Sequence, residues 1–173
     1  MLADQDSAGV IVERVPVPEW AEELLLRRQD QADLLILPPR VRDGRGEYRD
    51  ADLPGVRALH AAGVRVDWAH EEANRSFLSE WSAGEVGAVA LFVTQALAQE
   101  SIGDIGRWLL ARVRQALGGH ASGSKSASFK VKVDRIKIDG TRREIEGFEV
   151  TGHDERVVDV ALALIRGDPP PDE

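Results

Sequence analysis

Phe129-Lys-Val-Lys-Val-Asp-Arg-Ile-Lys-Ile-Asp139-Gly140-Thr-Arg-Arg-Glu-Ile-Glu-Gly-Phe-Glu-Val150 decides the fold class. Phe129, Val131 and Val133 alternate with Lys130 and Lys132, the pattern of a strand with one buried face. The alternation slips at Asp134-Arg135, where Ile136 and Ile138 take over, and predicts a bulge. Asp139-Gly140 predicts a hairpin turn, and Arg142 to Val150 returns with a second bulge at Gly147. Downstream, Asp154 to Arg166 predicts a helix buried through Val157, Val158, Ala161, Leu162 and Ile165. Upstream, Gly84 to Leu117 predicts a long apolar helix, bent near Ser101-Ile-Gly-Asp104. Its second half places Ile105, Trp108, Leu109, Val113 and Ala116 on one face, with Arg107 and Arg114 off it.

The first half alternates differently. Gly9 to Val17 predicts a strand ended by Pro16 and Pro18, followed by a helix over Glu19 to Arg28. Asp33-Leu-Leu-Ile-Leu37 is a continuous apolar run closed by Pro38-Pro39, as in a strand buried on both faces. A polar loop over Arg40 to Asp50 follows, then a helix capped by Asp52 and ended by Gly63, then a strand at Val64 to Trp68. Residues 70–82 read as a short helix or irregular segment. The β-α-β-loop-α-β order implies right-handed crossovers and parallel strands. The expected fold is α/β: a mixed sheet of about three parallel strands plus a C-terminal β-hairpin, packed by helices including the long apolar one. The expected organisation is a disordered N-terminus over 1–8, one domain over 9–167 with a flexible Gly/Ser-rich loop at 118–126, and a disordered tail over 168–173.

Composition narrows function. The 173 residues include no cysteine, which excludes disulfides and thiolate chemistry and suits a reducing cytoplasm. Net charge is −8, which disfavours nonspecific nucleic-acid or anionic-membrane binding. The acidic N-terminus does not resemble a signal peptide. The longest weakly charged stretch, Val86 to Gln99, is shorter than the roughly 18–20 apolar residues of a bilayer span.

Several groups are candidates for chemistry. Asp67-Trp-Ala-His70-Glu71-Glu72 follows the third strand, and ligands bind beyond strand carboxyl ends in parallel sheets. The loop after the second strand brings Arg40, Arg42, Arg45 and Arg49 to the same edge, so Arg40, Arg42 and His70 are the expected ligand-binding residues, for an anionic molecule. A charged solvated loop explains the same residues without a ligand. Lys125, Lys130, Lys132, Arg135 and Lys137 form a basic run holding every lysine. Lys130, Lys132 and Lys137, with Trp108, make an expected interaction surface; the plainer reading is a solvated edge strand. Gly119 to Ser126 approaches a phosphate-binding loop but has Ser124 before Lys125 and no following helix, so a linker reading holds. His60, His120 and His153 have no metal-ligand spacing, and no metal or other cofactor is expected.

Ser79-Glu-Trp81-Ser82-Ala-Gly-Glu85 resembles the Ser-x-Trp-Cys-x-x-Glu box of TIR domains, with Ser82 at the cysteine position. That resemblance implies Glu85 as a catalytic carboxylate acting on NAD; the plainer reading is a helix start with Glu85 at its N-terminus. The order of sheet, apolar helix, Gly-rich break, hairpin and short helix, carried by Val86–Leu117, Phe129–Val133, Asp139-Gly140, Phe148–Val150 and Asp154–Ile165, resembles small effector-associated accessory proteins of bacterial conflict systems. It implies docking or regulation without catalysis. The reading is therefore a non-enzymatic interaction or accessory module of a bacterial defence or signalling system, cytoplasmic, with a protein partner or self-association. The alternative is a nucleotide-handling domain, NAD-cleaving or nucleotide-sensing, with its site at the strand carboxyl ends.

Overall fold

The computed structural model describes residues 9–118 and 128–171. The expected disorder at 1–8, the last two residues of the tail and nearly all of the Gly/Ser-rich loop lie outside the described residues. The fold is mixed α/β. Its main sheet has six strands in the order β1-β9-β8-β7-β2-β5, where β1 is Ile11–Arg14, β2 Leu34–Leu37, β5 Val66–Trp68, β7 Ala88–Val93, β8 Phe129–Asp139 and β9 Arg142–Gly152. One face is packed by α2 (Leu53–Ala61), α4 (Gln99–Gly118) and α5 (Arg156–Ile165), which enclose Leu34, Ile36, Leu91, Val131, Val133 and Phe148. The other face carries α1 (Glu19–Arg28), whose Ala21 and Leu25 lie on Leu35, Leu37 and Phe92. Arg28 in the last turn of α1 ties the helix to the sheet, donating to Asp67 at 3.0 Å and to the Trp68 carbonyl at 3.1 Å.

Only the second and third of the expected parallel strands are neighbours: β2 runs parallel to β5. β1 lies at the opposite edge, antiparallel to β9, with Ile11 opposite Thr151. The other parallel pair is β7 with β8. The expected long helix is divided, because Ala88-Val-Ala-Leu-Phe-Val93 is a strand between β2 and β8. Both faces of that strand are covered, so its apolar run is continuous and carries no period to tell strand from helix. The helix begins only at Gln99 and runs unbroken through Ser101 to Asp104, burying the face its periodicity predicts.

The hairpin has no bulge. Its register is continuous from Phe129 opposite Gly152 to Asp139 opposite Arg142, and the turn is Gly140-Thr141, with Gly140 at φ 61°. What changes at Asp134 is which face is apolar. Phe129, Val131 and Val133 lie under α4 and α5, whereas Ile136 and Ile145 join the cluster beneath α1. The expected polar loop is a second hairpin: β3 (Arg40–Arg42) and β4 (Arg45–Arg49) turn at Asp43-Gly44, both with positive φ. β4 pairs parallel with β6 (Arg75–Leu78), making a three-stranded sheet within the segments expected to be loops. Tyr48 joins it to the main sheet, 4.9 Å from the Trp68 ring and 5.8 Å from that of Phe77. Among the described residues, no helix is long and apolar enough to cross a membrane.

Candidate functional site: a cavity at the carboxyl end of the second strand

Pro38 and Pro39 end β2 and turn the chain away from the sheet. The strand beside it offers only Ala88 and Ala90 at this level on the α1 face. Together they leave a cavity of about 250 Å³, walled by Leu37, Pro38, Pro39 and Trp20 and reaching around the sheet end to Trp108. It lies at a strand carboxyl end, where the parallel pair predicts a ligand.

Two charged groups line it. Lys130, Lys132 and Asp134 project from β8 on the α1 face, opposite Ala88, Ala90 and Phe92 of β7. Asp134 is fully buried, and neither of its carboxylate oxygens has a hydrogen-bond partner among the described residues. Its nearest counter-charge is Lys132 Nζ, 3.7 Å from Oδ2. Burial outweighs that lysine and pushes the carboxyl up to about 6. Lys130 turns outward to Glu149, 3.1 Å away.

At the other end Asp52, expected as a helix cap, makes no capping bond. It pairs instead with Arg112 Nε at 2.8 Å and, at 4.0 Å, with Arg49. Arg112 also donates to the Val86 and Ala88 carbonyls, each at 3.3 Å, which fixes the start of β7. Burial pulls the Arg112 guanidinium down to about 10, so it stays charged at neutral pH. Burial raises the Asp52 carboxyl, opposed by Arg112 and Arg49.

The residues expected to bind a ligand do not converge. Arg40 and Arg42 meet at Glu47, at 3.2 and 3.6 Å, and Arg40 also lies 3.3 Å from Glu85 and 4.6 Å from the Trp81 ring centroid. Their Nε groups are thus paired with carboxylates, and His70 does not join them. Glu85 closes a capping box with Ser82: its carboxylate accepts from the Ser82 N–H at 3.0 Å and hydroxyl at 2.7 Å, and its own N–H donates back to Ser82 Oγ at 3.4 Å. Those bonds, the Ser82 hydroxyl foremost, hold the Glu85 carboxyl below its usual range.

His70 stands apart and is buried. Its backbone N–H donates to Tyr48 Oη at 3.0 Å, so the phenol proton is free to reach His70 Nδ1, also 3.0 Å away. Burial, then Arg28 and Arg75, holds the imidazole pKa below the ordinary value. A Cβ on Gly46 would strike the imidazole at Nδ1, so glycine is required there for the ring to lie on β4.

The expected interaction surface also separates. Trp108 is buried against Gly55 of α2. β8 is flanked by β7 and β9 and is not an edge strand. Lys130 and Lys132 face α1, while Lys137 follows the odd-numbered positions onto the other face and is exposed. Arg135 shares that face and closes the end of α5, donating to the Leu164 and Asp168 carbonyls at 2.8 Å. Sequence reading missed Asp134 and Asp52 as cavity groups. The available signal for Asp134 was its place on the face of Lys130 and Lys132, just where that face turns apolar at Ile136. Among the described residues no group of three or more His, Asp or Glu could hold a metal ion. No protein-family model matches the chain, and neither a curated protein nor a solved structure matches it.

Proposed function

We propose that this chain is a non-enzymatic binding module, an accessory component of a bacterial defence or signalling system, that recognises a small polar molecule in the Asp134 cavity. One observation carries the reading: a fully buried carboxylate with no hydrogen-bond donor among the described residues lines a cavity of about 250 Å³. A buried polar group left unpaired costs about 1–3 kcal/mol, a cost that a ligand's donors would recover. Partner docking or self-association would follow through exposed features such as Lys137 and Ile138 at the hairpin end. A cytoplasmic setting suits a chain without cysteine.

Calorimetric titration with NAD, ATP, cyclic dinucleotides and common metabolites tests it, alongside an Ala90→Phe variant that fills the cavity. Binding by the native protein that the filled variant loses is the expected result. Equal binding by both proteins would place the site elsewhere.

The second reading is NAD cleavage by Glu85. It is favoured by a carboxylate held ionised between Ser82 and Arg40, beside Trp81. NAD turnover abolished by Glu85→Gln would support it; turnover unchanged in that variant would remove it.

A further inference from the structure

Asp134 is a specific kind of acceptor. Neither oxygen has a hydrogen-bond partner among the described residues, Oδ2 has only the Lys132 ammonium as an ion-pair partner, and both oxygens belong to one planar group. Burial is complete, yet Asp134 lines the cavity beside Lys132, whose Nζ lies 3.7 Å from Oδ2 at the end of a flexible four-carbon stem. A carboxylate with two free oxygens is satisfied best by two parallel N–H donors in its own plane. Part of the cavity wall is apolar and formed by Trp20, Pro38, Pro39 and the small residues Ala88 and Ala90. Those surfaces suit an aromatic ring, and base–aromatic stacking tolerates many rings. Discrimination falls to the edge facing Asp134.

We propose that the cavity takes a guanine-type base, whose N1–H and exocyclic amine form the paired donor edge that Asp134 accepts. The inference rests on the reading of this cavity as a ligand site and names its ligand class. Lys132 leaves the acid as the base enters. With Lys130 it lines the same cavity, where ammonium groups meet a phosphate if the ligand is a nucleotide and meet water if it is a nucleoside. Adenine presents no such donor pair, and hypoxanthine keeps N1–H but lacks the amine.

Titration of the full chain with guanosine, GMP, inosine, IMP and AMP, followed by Trp fluorescence or calorimetry, tests the assignment. Guanosine or GMP binding at least about tenfold more tightly than the inosine or adenine counterpart is the expected result. Asp134→Asn offers one acceptor and one donor, so it is expected to lose that preference and to take xanthosine in its place. GMP binding much more tightly than guanosine identifies the nucleotide as the source; equal affinities identify the nucleoside. Equal affinity for GMP, IMP and AMP, or an unchanged preference in Asp134→Asn, overturns the assignment. So does the absence of guanosine and GMP binding. In those cases metabolites that bind the native protein and are excluded by Ala90→Phe keep the cavity as a ligand site of another class.

Discussion

Gly147 lies opposite Asp134 in the β8–β9 ladder, and a Cβ built on it would stand 2.7 Å from Asp134 Oδ1 and 2.7 Å from the Val15 carbonyl oxygen. The chain crossing from β1 to α1 therefore passes directly over the buried acid, and only a glycine lets it do so. Gly147→Ala should destabilise the protein by about 1–3 kcal/mol, the usual cost of overpacking. Gly103, mid-helix with nothing within 4 Å of its missing Cβ, is the control. Gly103→Ala should stabilise by about 0.5–1 kcal/mol through helix propensity. Urea unfolding of both variants measures the contrast.

Asp134 should make stability fall as pH rises. Its ordinary value is 3.8 and the folded protein raises it to about 6. Between those values the folded chain holds a proton the unfolded chain has released. Its contribution is therefore fully present below about pH 4 and is lost as pH rises through about 6, with no further change above. The full span is roughly 2–3 kcal/mol. Other groups titrate in the same range, so the quantity to measure is the difference in unfolding free energy between the native protein and Asp134→Asn. That difference should grow between pH 4 and 6 in favour of the variant, then stay level.

The Asp52–Arg112 pair holds the other end of the cavity. Arg112→Met leaves Asp52 buried beside Arg49 alone, removes the Arg112 bond to the Ala88 carbonyl and leaves the Val86 carbonyl with Arg49 as its remaining side-chain donor. A loss of about 3–5 kcal/mol is expected, as for removal of one member of a buried pair. Adding Asp52→Asn should recover part of it, and chemical denaturation of the single and double variants reads the coupling.

Tyr48→Phe removes the partner of both the His70 N–H and its Nδ1. A cost of about 1–3 kcal/mol follows from leaving buried polar groups unpaired. His70 itself has a pKa below its ordinary 6.5 in the folded state. The unfolded chain therefore binds its proton first, and this residue's contribution is present above pH 6.5 and declines as the pH falls below that value. The imidazole NMR shifts should report a titration midpoint below that of a free histidine.

The sequence shows unevenly what the fold contains. Leu34 to Leu37, Val66 to Trp68, the long hairpin and the helices at Glu19, Leu53 and Arg156 were legible, because each is bounded by Pro, Gly or a change of period. Ala88 to Val93 was not, since an apolar run covered on both faces carries no periodic signal. The β3–β4 hairpin was hidden by its arginines, although Asp43-Gly44 is a turn pair typical of such hairpins. The position of β1 depends on pairing with Thr151 and Val150, information no local window contains. At the site, His70, Arg40 and Glu85 were visible as residue types. Ser82 stood in the same string as Glu85, but the partners Tyr48 and Glu47 were not visible, because those contacts come from a different segment or from an unforeseen turn. Asp134 was read as a break in a strand when it was the strand's inward polar position.

β1 closes the sheet from the far side, with its only neighbour in the last strand of the chain. During synthesis the first strand waits, unpaired, until the residues of β9 have left the ribosome. Contacts of such long sequence separation slow folding and leave the strand unpaired in the meantime. Truncation before Arg142 would therefore remove more than a terminal hairpin arm. It would strand Ile11–Arg14 without its β9 partner and unroof Asp134, so the cavity is complete only once β9 has been translated.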